Sequence, residues 1–223
     1  MPENVTLAHK IYLLGIHPEK GGIIAPAYTA MDYCLLGTLF LELYESKKIN
    51  LENKRIVVLD TKADNDLHRF LLQKMDNAKR PLRISHWINK FYFSLKFIRK
   101  EIQQQLVEKR LIRLEQKRFL FFKWWKPYVS DKQFVAKLVS EVERMIFSAP
   151  SGVEDIYLLT FIKPAGLLRR IFSGREKRKQ ASKRINKIMT EKQFPMAVSD
   201  AISAAKAVTQ SVTSVSASHQ SYA

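Results

Sequence analysis

The chain has 223 residues, 46% of them hydrophobic and 26% charged, which fits one or two globular domains with a substantial core. Its 38 Lys and Arg against 21 Asp and Glu give a net charge of +17, which indicates an anionic partner, either a phospholipid surface or a nucleic acid. The single cysteine, Cys34, excludes an intrachain disulfide framework and a cysteine zinc site.

The N-terminal half predicts helices with one short strand. An apolar run at 11–16 ends in a turn cluster, and apolar residues at helical spacing predict a helix over 28–48. The β-branched segment 55–59 predicts a strand, and residues 64–66 predict the cap of a following helix. Residues 84–110 predict a long helical region, continuous or broken, with six apolar residues on one face: Trp87, Phe91, Leu95, Ile98, Ile102 and Leu106.

The C-terminal half predicts a hairpin and two further helices. Residues 111–115 and 118–122 flank Gln116-Lys117, the expected turn. Residues 131–147 and 165–189 have helical patterns, and the second is basic. Residues 209–223 are rich in Ser and Thr and predict a disordered tail, which leaves residues 1–208 as the ordered domain. This order is typical of a mainly α fold: a single compact helical domain with one or two peripheral β-hairpins.

The hydropathy pattern predicts a protein that touches a membrane without crossing it. No run reaches 18 apolar residues, since the best, residues 33–44, is twelve residues long and contains Glu42. That run predicts a buried helix. The first four residues lack the features of a signal peptide. Together these features predict a cytoplasmic, peripherally membrane-associated protein.

The positive charge lies in two segments, with a net of +7 over 96–126 and +9 over 163–192. A solvated surface usually mixes both signs, so this concentration favours a binding face. Clusters of basic residues on a helix are typical of anionic-lipid binding, although a solvated face and a nuclear localisation patch are alternatives. The predicted basic face comprises Arg169, Arg170, Arg175, Lys177, Arg178, Lys179, Lys183 and Arg184.

Residues 119–128 interleave aromatic side chains with lysines, a pattern typical of a bilayer interface. The predicted interface residues are Lys123, Trp124, Trp125 and Lys126. A strand packed on the core is the alternative, and it accounts for Phe119 and Phe121. Two adjacent tryptophans cannot both point inward from a strand, so at least one of them is predicted to be exposed.

Lys96 and Arg99 share one helix face at i and i+3, where two cations can bind one phosphate. From spacing alone a solvated pair is the commoner outcome. A nucleic-acid alternative also stays open, because residues 106–122 have the local pattern of the last helix and wing of a winged helix. The glutamines at 103–105 are the only patch that suggests a DNA-reading face.

Catalytic patterns are absent from the sequence. The five histidines show no metal-ligand spacing, no phosphate-binding glycine loop or nucleophile motif occurs, and Cys34 lies in an apolar segment. The sequence therefore predicts a binding protein without cofactor or metal rather than an enzyme.

Several segments over residues 5–208 resemble the Golgi phosphoprotein 3 family. Residues 37–43 (GTLFLEL) with 49–52 are similar to its G-x-x-L-x-E-L helix and following strand, and 106–109 (LVEK) with 120–122 to its helix end and hairpin. Residues 5–15, 157–168 and 183–185 resemble its start, its late apolar helix and its basic helix. The chain resembles a divergent, bacterial type of member.

The resemblance implies a mainly α peripheral membrane protein that binds phosphatidylinositol 4-phosphate in a basic pocket and acts as an adaptor for membrane enzymes through their cytoplasmic tails. Two of the four pocket positions fall on Lys96 and Arg99. The other two fall near Ala27 and Leu36, which implies binding of generic anionic lipid. The family's self-association implies that residues 111–122 can serve as a dimer edge.

Overall fold

A computed structural model describes residues 5–63, 65–190 and 196–220, with side chains of the last range described over 206–218. Within these ranges the chain forms ten α-helices and two small antiparallel sheets, so the predicted mainly α fold is confirmed. The helices are α1 (Leu7–Gly15), α2 (Met31–Glu45), α3 (Asp66–Asp76), α4 (Ile84–Lys90), α5 (Leu95–Glu108), α6 (Lys132–Phe147), α7 (Val153–Ile162), α8 (Leu168–Ile171), α9 (Arg175–Thr190) and α10 (Met196–Gln220). The strands are β1 (Ile49–Glu52), β2 (Arg55–Val58), β3 (Leu82–Arg83), β4 (Ile112–Phe119) and β5 (Phe122–Val129).

Helix α2 is the centre of the hydrophobic core, and α1, α5, α7 and α10 pack against it. The predicted buried helix over 33–44 is confirmed, since most of its side chains are inaccessible to solvent. Its neighbours approach closely at Gly37, where an added Cβ would lie 2.9 Å from Phe161 and 3.0 Å from Val212. None of the helices in the described ranges is long and apolar enough to span a bilayer.

The helical region at 84–110 is broken, as the sequence allowed. Helix α4 ends at Lys90, a 3-10 turn covers Tyr92–Ser94, and α5 starts at Leu95. All six residues of the predicted apolar stripe are buried. The predicted strand at 55–59 is β2, and Asn65 caps α3 by accepting a hydrogen bond from the His68 amide at 2.8 Å.

The hairpin is longer than the sequence predicted, and its turn lies elsewhere. Strands β4 and β5 pair from Ile112–Val129 to Phe119–Phe122, so Leu120 and Phe121 form the turn. The predicted turn at Gln116-Lys117 is wrong, because these residues pair with Trp125 and Trp124 within the ladder. Two polar residues marked the expected turn, whereas the actual turn consists of two large apolar residues.

The segment predicted to be a disordered tail is helical in the structure. Over 209–218 the chain continues α10, and Val208, Val212 and Val215 are buried against the core. The hydroxyl groups on its outer sides donate to carbonyls one turn back, as Ser211 does to Ala207 at 2.9 Å and Thr213 to Thr209 at 2.8 Å. The valines recur at helical spacing, a signal that the Ser/Thr-rich composition masked. Residues 221–223 lie outside the described residues.

His9 fastens α1 to α5 in its neutral form. Its Nδ1 accepts a hydrogen bond from the Thr6 amide at 3.1 Å, and its Nε2 donates to Gln105 Oε1 at 2.9 Å. Burial lowers the pKa of His9, with Lys109 acting in the same direction and Gln105 and Glu42 opposing. A protonated ring cannot accept at Nδ1, so the fold holds the neutral tautomer.

We expect this histidine to make the fold sensitive to acid. The pKa of His9 is lower in the folded chain than the unfolded value of 6.5, so below pH 6.5 the unfolded chain takes up the proton first. The unfolding free energy therefore decreases as the pH is lowered, by at most about 1.4 kcal/mol per pH unit from this residue. Urea titrations of wild type and His9→Gln from pH 7 to 5 should show a shallower fall in the variant. Equal slopes would contradict the assignment.

Candidate lipid-binding surface

The tip of the β4–β5 hairpin presents four consecutive apolar side chains to solvent. Phe119, Leu120, Phe121 and Phe122 are 66%, 66%, 91% and 74% exposed. The interpretation of Phe119 and Phe121 as core residues is therefore wrong. Only the base of the hairpin reaches the core, through Ile112, Val129 and their neighbours. An exposed apolar patch of this kind marks a place where another surface makes contact.

Both tryptophans are exposed, which confirms the prediction that at least one would be. Trp124 lies opposite Lys117 and Trp125 opposite Gln116, so the two rings stand on opposite faces of the ribbon. Their exposed fractions are 47% and 61%. Lys123 is exposed directly opposite Arg118, and this like-charged pair costs stability unless an anion lies nearby.

The base of the hairpin is held by the glycine turn after α1. The Gly22 amide donates to the Pro127 carbonyl at 2.7 Å. The Tyr128 ring lies under three cations, with Arg113, Lys117 and Lys126 at 5.1, 5.2 and 5.7 Å from its centroid. Lys126 therefore lies near the base of the hairpin rather than at its tip. This anchoring orients the apolar tip away from the core.

The turn carries a leucine where two-residue hairpins favour glycine. Leu120 has a φ of +53°, in the left-handed region. An L-residue with a side chain costs about 1–2 kcal/mol there. The Nε of Arg118 donates to the Leu120 carbonyl at 3.1 Å and braces the turn. Strain at an exposed apolar position points to a use for the side chain outside the fold.

Lys96 and Arg99 share a face of α5, but their charges have different surroundings. Arg99 is half-buried, and its Nη1 lies 3.1 Å from both carboxylate oxygens of Asp32 in α2. Burial raises the pKa of Asp32, while Arg99 acts to lower it. Lys96 is exposed and forms no ion pair with a described residue. Lys96 is thus the available cation of the pair, and Arg99 is largely compensated.

Exposed aromatic side chains that sequence reasoning missed flank Lys96 in the chain. Phe93 is 92% exposed, and Tyr92 and Phe97 are about half as exposed. Phe97 packs against Phe70 with ring centroids 5.1 Å apart, while Phe93 extends from the 3-10 turn into solvent. These residues fall outside the apolar stripe of 84–110. Apolar residues off the buried face are expected to be exposed, so their positions in the sequence could have identified them.

The predicted basic face divides into an internal and an external set. Arg178 donates to the carbonyls of Phe172 and Ser173, and Arg184 reaches the Ser148 carbonyl at 3.4 Å. Arg170 is half-buried, and Lys177 lies 3.9 Å from Glu143. Arg178 and Arg184 therefore contribute to holding α8 and α9 in place. The exposed members are Arg169, Arg175, Lys177, Lys179 and Lys183.

Three exposed members of this face form a row along α9 with one further lysine. Arg175, Lys179, Lys183 and Lys187 recur every four residues, which places them along one side of the helix. All four are exposed, and none is in an ion pair with a described residue. The opposite side buries Ala181, Ile185, Ile188 and Met189. Like charges at i and i+4 destabilise a helix, so the row favours an anionic partner.

The glutamines considered as a DNA-reading face are mostly used within the fold. Gln103 donates to the Tyr12 hydroxyl, and Gln105 bonds His9. Burial raises the pKa of Tyr12 to about 12, so its hydroxyl stays protonated and keeps this hydrogen bond with Gln103. Only Gln104, which bonds Glu108 at 3.2 Å, faces solvent. Two of the three glutamines are therefore unavailable to read bases, and the polar residues that α5 does expose are Lys96, Lys100, Gln104 and Glu108.

No group of three or more potential metal ligands occurs among the described residues. Cys34 is fully buried, and burial raises the pKa of its thiol far above the ordinary value. His68 bonds Glu42 at 3.1 Å and so joins α3 to α2. Cys34 thus packs in the core, and His68 links two helices.

The family model described as Golgi phosphoprotein 3 (GPP34) matches residues 7–205. The matched range starts at the first residue of α1 and ends within α10, so it includes the hairpin and α9. A search of curated proteins finds no match.

Proposed function

The chain belongs to the Golgi phosphoprotein 3 family, and from this premise we propose that it is a peripheral membrane protein that binds anionic phospholipid headgroups. The observation that carries the proposal is the hairpin tip, where four consecutive apolar residues are exposed. Aromatic and aliphatic side chains at such a tip enter the headgroup region, and the flanking cations meet phosphates. The protein would act at the cytoplasmic face of a membrane as a binding protein rather than as an enzyme.

The distribution of available cations supports an anionic membrane over DNA. Lys123 follows the apolar tip directly, Lys96 lies three residues after the exposed Phe93, and the cations of the α9 row are all exposed. DNA-binding surfaces need cations and polar groups but gain little from exposed phenylalanines. Apolar side chains beside lysines suit an interface that is both charged and partly apolar.

We infer that the protein binds anionic lipid generally, with weak preference for phosphatidylinositol 4-phosphate. Arg99 is already paired with Asp32, which leaves Lys96 as the uncompensated cation of the predicted pair. A single flexible ammonium group recognises a phosphate as a point charge and discriminates little between headgroups.

An adaptor role is the corresponding proposal for partners. Cytoplasmic tails of membrane enzymes would bind the membrane-docked protein.

We also propose that two copies associate through residues 111–122. The two-stranded ribbon supports this association, because each of its strands has one edge unpaired among the described residues. Light scattering of wild type and Gln116→Pro, which removes a backbone donor from the unpaired edge of β4, would test it.

The direct test is flotation of the protein with vesicles at physiological salt. Neutral phosphatidylcholine vesicles, vesicles with 20 mol% phosphatidylserine (on the order of a cytoplasmic leaflet) and vesicles with phosphatidylinositol 4-phosphate at matched charge are compared. We expect binding to both anionic samples and little to the neutral one. Failure to bind any vesicle, with a shift of duplex DNA in the same buffer, would overturn the proposal in favour of a nucleic-acid binder.

Replacing Leu120 with glycine should separate fold stability from lipid binding. Glycine removes the strain at φ +53°, so the unfolding free energy should stay constant or rise by up to about 1 kcal/mol. Vesicle affinity should fall by about tenfold, because one exposed leucine is lost. Urea unfolding and flotation measure the two quantities. A clear loss of stability would show that Leu120 serves the fold instead.

A further inference from the structure

A second cationic site lies at the edge of the three-stranded sheet, apart from the residues assigned above. A cavity of about 330 Å³ opens where β2 and β3 meet α4. Its polar lining comes from the side chains of Arg55, Arg80, Arg83, Ser85, His86 and Asn89. Three guanidinium groups thus border one space that no described carboxylate lines.

The strand register brings two of these arginines together at a cost. Arg55 in β2 pairs directly with Arg83 in β3. Directly opposed residues have Cβ atoms about 5 Å apart on the same face, and like charges there are destabilising. Arg55 is held in place because its Nη1 donates to the Pro81 carbonyl at 3.1 Å.

Acidic residues compensate this charge only in part. None of the three arginines forms an ion pair with a described residue. Glu52 lies opposite Arg55 on β1, and its carboxylate also accepts from the Asn50 side-chain amide at 3.3 Å. Glu52 therefore offsets part of the charge of Arg55, and the cluster of three arginines keeps a net positive charge.

We propose that this cavity binds a phosphate group of a phosphorylated ligand. Guanidinium groups bind phosphate oxygens bidentately, and Ser85, His86 and Asn89 add hydroxyl, ring and amide donors. The volume is at the lower limit for small-molecule sites, which suits a phosphate and a small attached group. The bound anion would remove the repulsion between Arg55 and Arg83. The phosphate belongs either to a soluble compound or to a lipid headgroup.

Thermal unfolding with and without pyrophosphate tests the proposal. Sodium chloride at matched ionic strength is the control, and the buffer contains neither phosphate nor divalent metal. Pyrophosphate should raise the Tm of wild type. Arg83→Glu should raise the Tm in the absence of pyrophosphate, because a carboxylate then faces Arg55, and should abolish the response. Lys137→Glu, an exposed charge reversal on α6, should keep the response.

Titration calorimetry with pyrophosphate gives the affinity directly. Arg80→Gln, in an exposed connection, leaves the strands intact and should weaken binding by at least about tenfold. No rise in the wild-type Tm, or a response in Arg83→Glu equal to that of wild type, would overturn the proposal. Lys96→Ala should respond normally, so the result is independent of the proposed membrane function.

Competition identifies the source of the phosphate. Inositol 1,4-bisphosphate in solution and vesicles containing phosphatidylinositol 4-phosphate are each added to the pyrophosphate complex. Displacement by the soluble compound alone indicates a free ligand, because a headgroup in a bilayer then cannot reach the cavity. Displacement by both indicates that the cavity opens toward the membrane.

Discussion

Replacing Phe121 and Phe122 with serine is expected to lower the affinity for anionic vesicles by about 100-fold. The two rings are 91% and 74% exposed, so they contribute little to the fold and are free to enter an interface. Full burial of one such side chain is worth about 1.5–3 kcal/mol, and partial insertion of two gives roughly 3 kcal/mol. Since about 1.4 kcal/mol corresponds to tenfold, the predicted loss follows. Vesicle flotation across lipid concentrations measures it.

The same substitution should leave the unfolding free energy within about 0.5 kcal/mol of wild type, as is usual for exposed sites. Leu59→Ser is the matched control, since Leu59 is 58% exposed but lies outside the hairpin. It should bind vesicles like wild type. Equal losses in the control and the tip variant would mean that binding does not depend on the hairpin. Phe121→Leu with Phe122→Leu should retain most of the affinity.

The sequence predicted the interior of this protein more fully than its binding surface. The apolar stripe from Trp87 to Leu106 repeats every three or four residues, and burial of one helix side makes such a pattern visible. The break at the 3-10 turn was allowed for but not located. The cap at Asn65 was predicted as well, because an N-cap depends on local chemistry alone.

The hairpin turn could not be predicted from turn chemistry. Local propensity disfavours Leu120 at a positive φ, so the polar Gln116-Lys117 pair was the better local candidate. The register instead follows the base, where Ile112 and Val129 are buried and paired. With this register the two-residue turn falls eight residues after Ile112, on the apolar residues Leu120 and Phe121. A local rule fails here at the place where the side chains are available to a partner.

Charge counting identified the basic helix but not which cations are available. Arg178 and Arg184 belong to the same cluster in sequence as Lys179 and Lys183, yet they donate to backbone carbonyls. Lys187 was omitted, although it completes the exposed row. Which side of the helix packs against α6 and α7 decides these roles, and that depends on tertiary contacts. The cavity of arginines was missed because its members come from separate segments.

Neutralising the three lysines of the α9 row should lower vesicle affinity and raise stability. The variant Lys179→Gln, Lys183→Gln and Lys187→Gln removes three exposed cations. Each cation near an anionic membrane contributes about 1 kcal/mol, so vesicle affinity should fall by about 100-fold at physiological salt. The unfolding free energy should rise by a few tenths of a kcal/mol for each like-charged i, i+4 pair that is removed.

Salt and a charge-matched variant distinguish the row from net charge. The triple change Lys20→Gln, Lys62→Gln and Lys137→Gln removes the same charge from exposed sites elsewhere and should cost much less affinity. At about 1 M salt the Debye length is near 3 Å, so the wild type and the α9 variant should converge. Equal losses in the two triple variants would assign the attraction to total charge. A difference that persists at high salt would mean that these lysines make direct, desolvated contacts, because screening removes only the long-range part of the attraction.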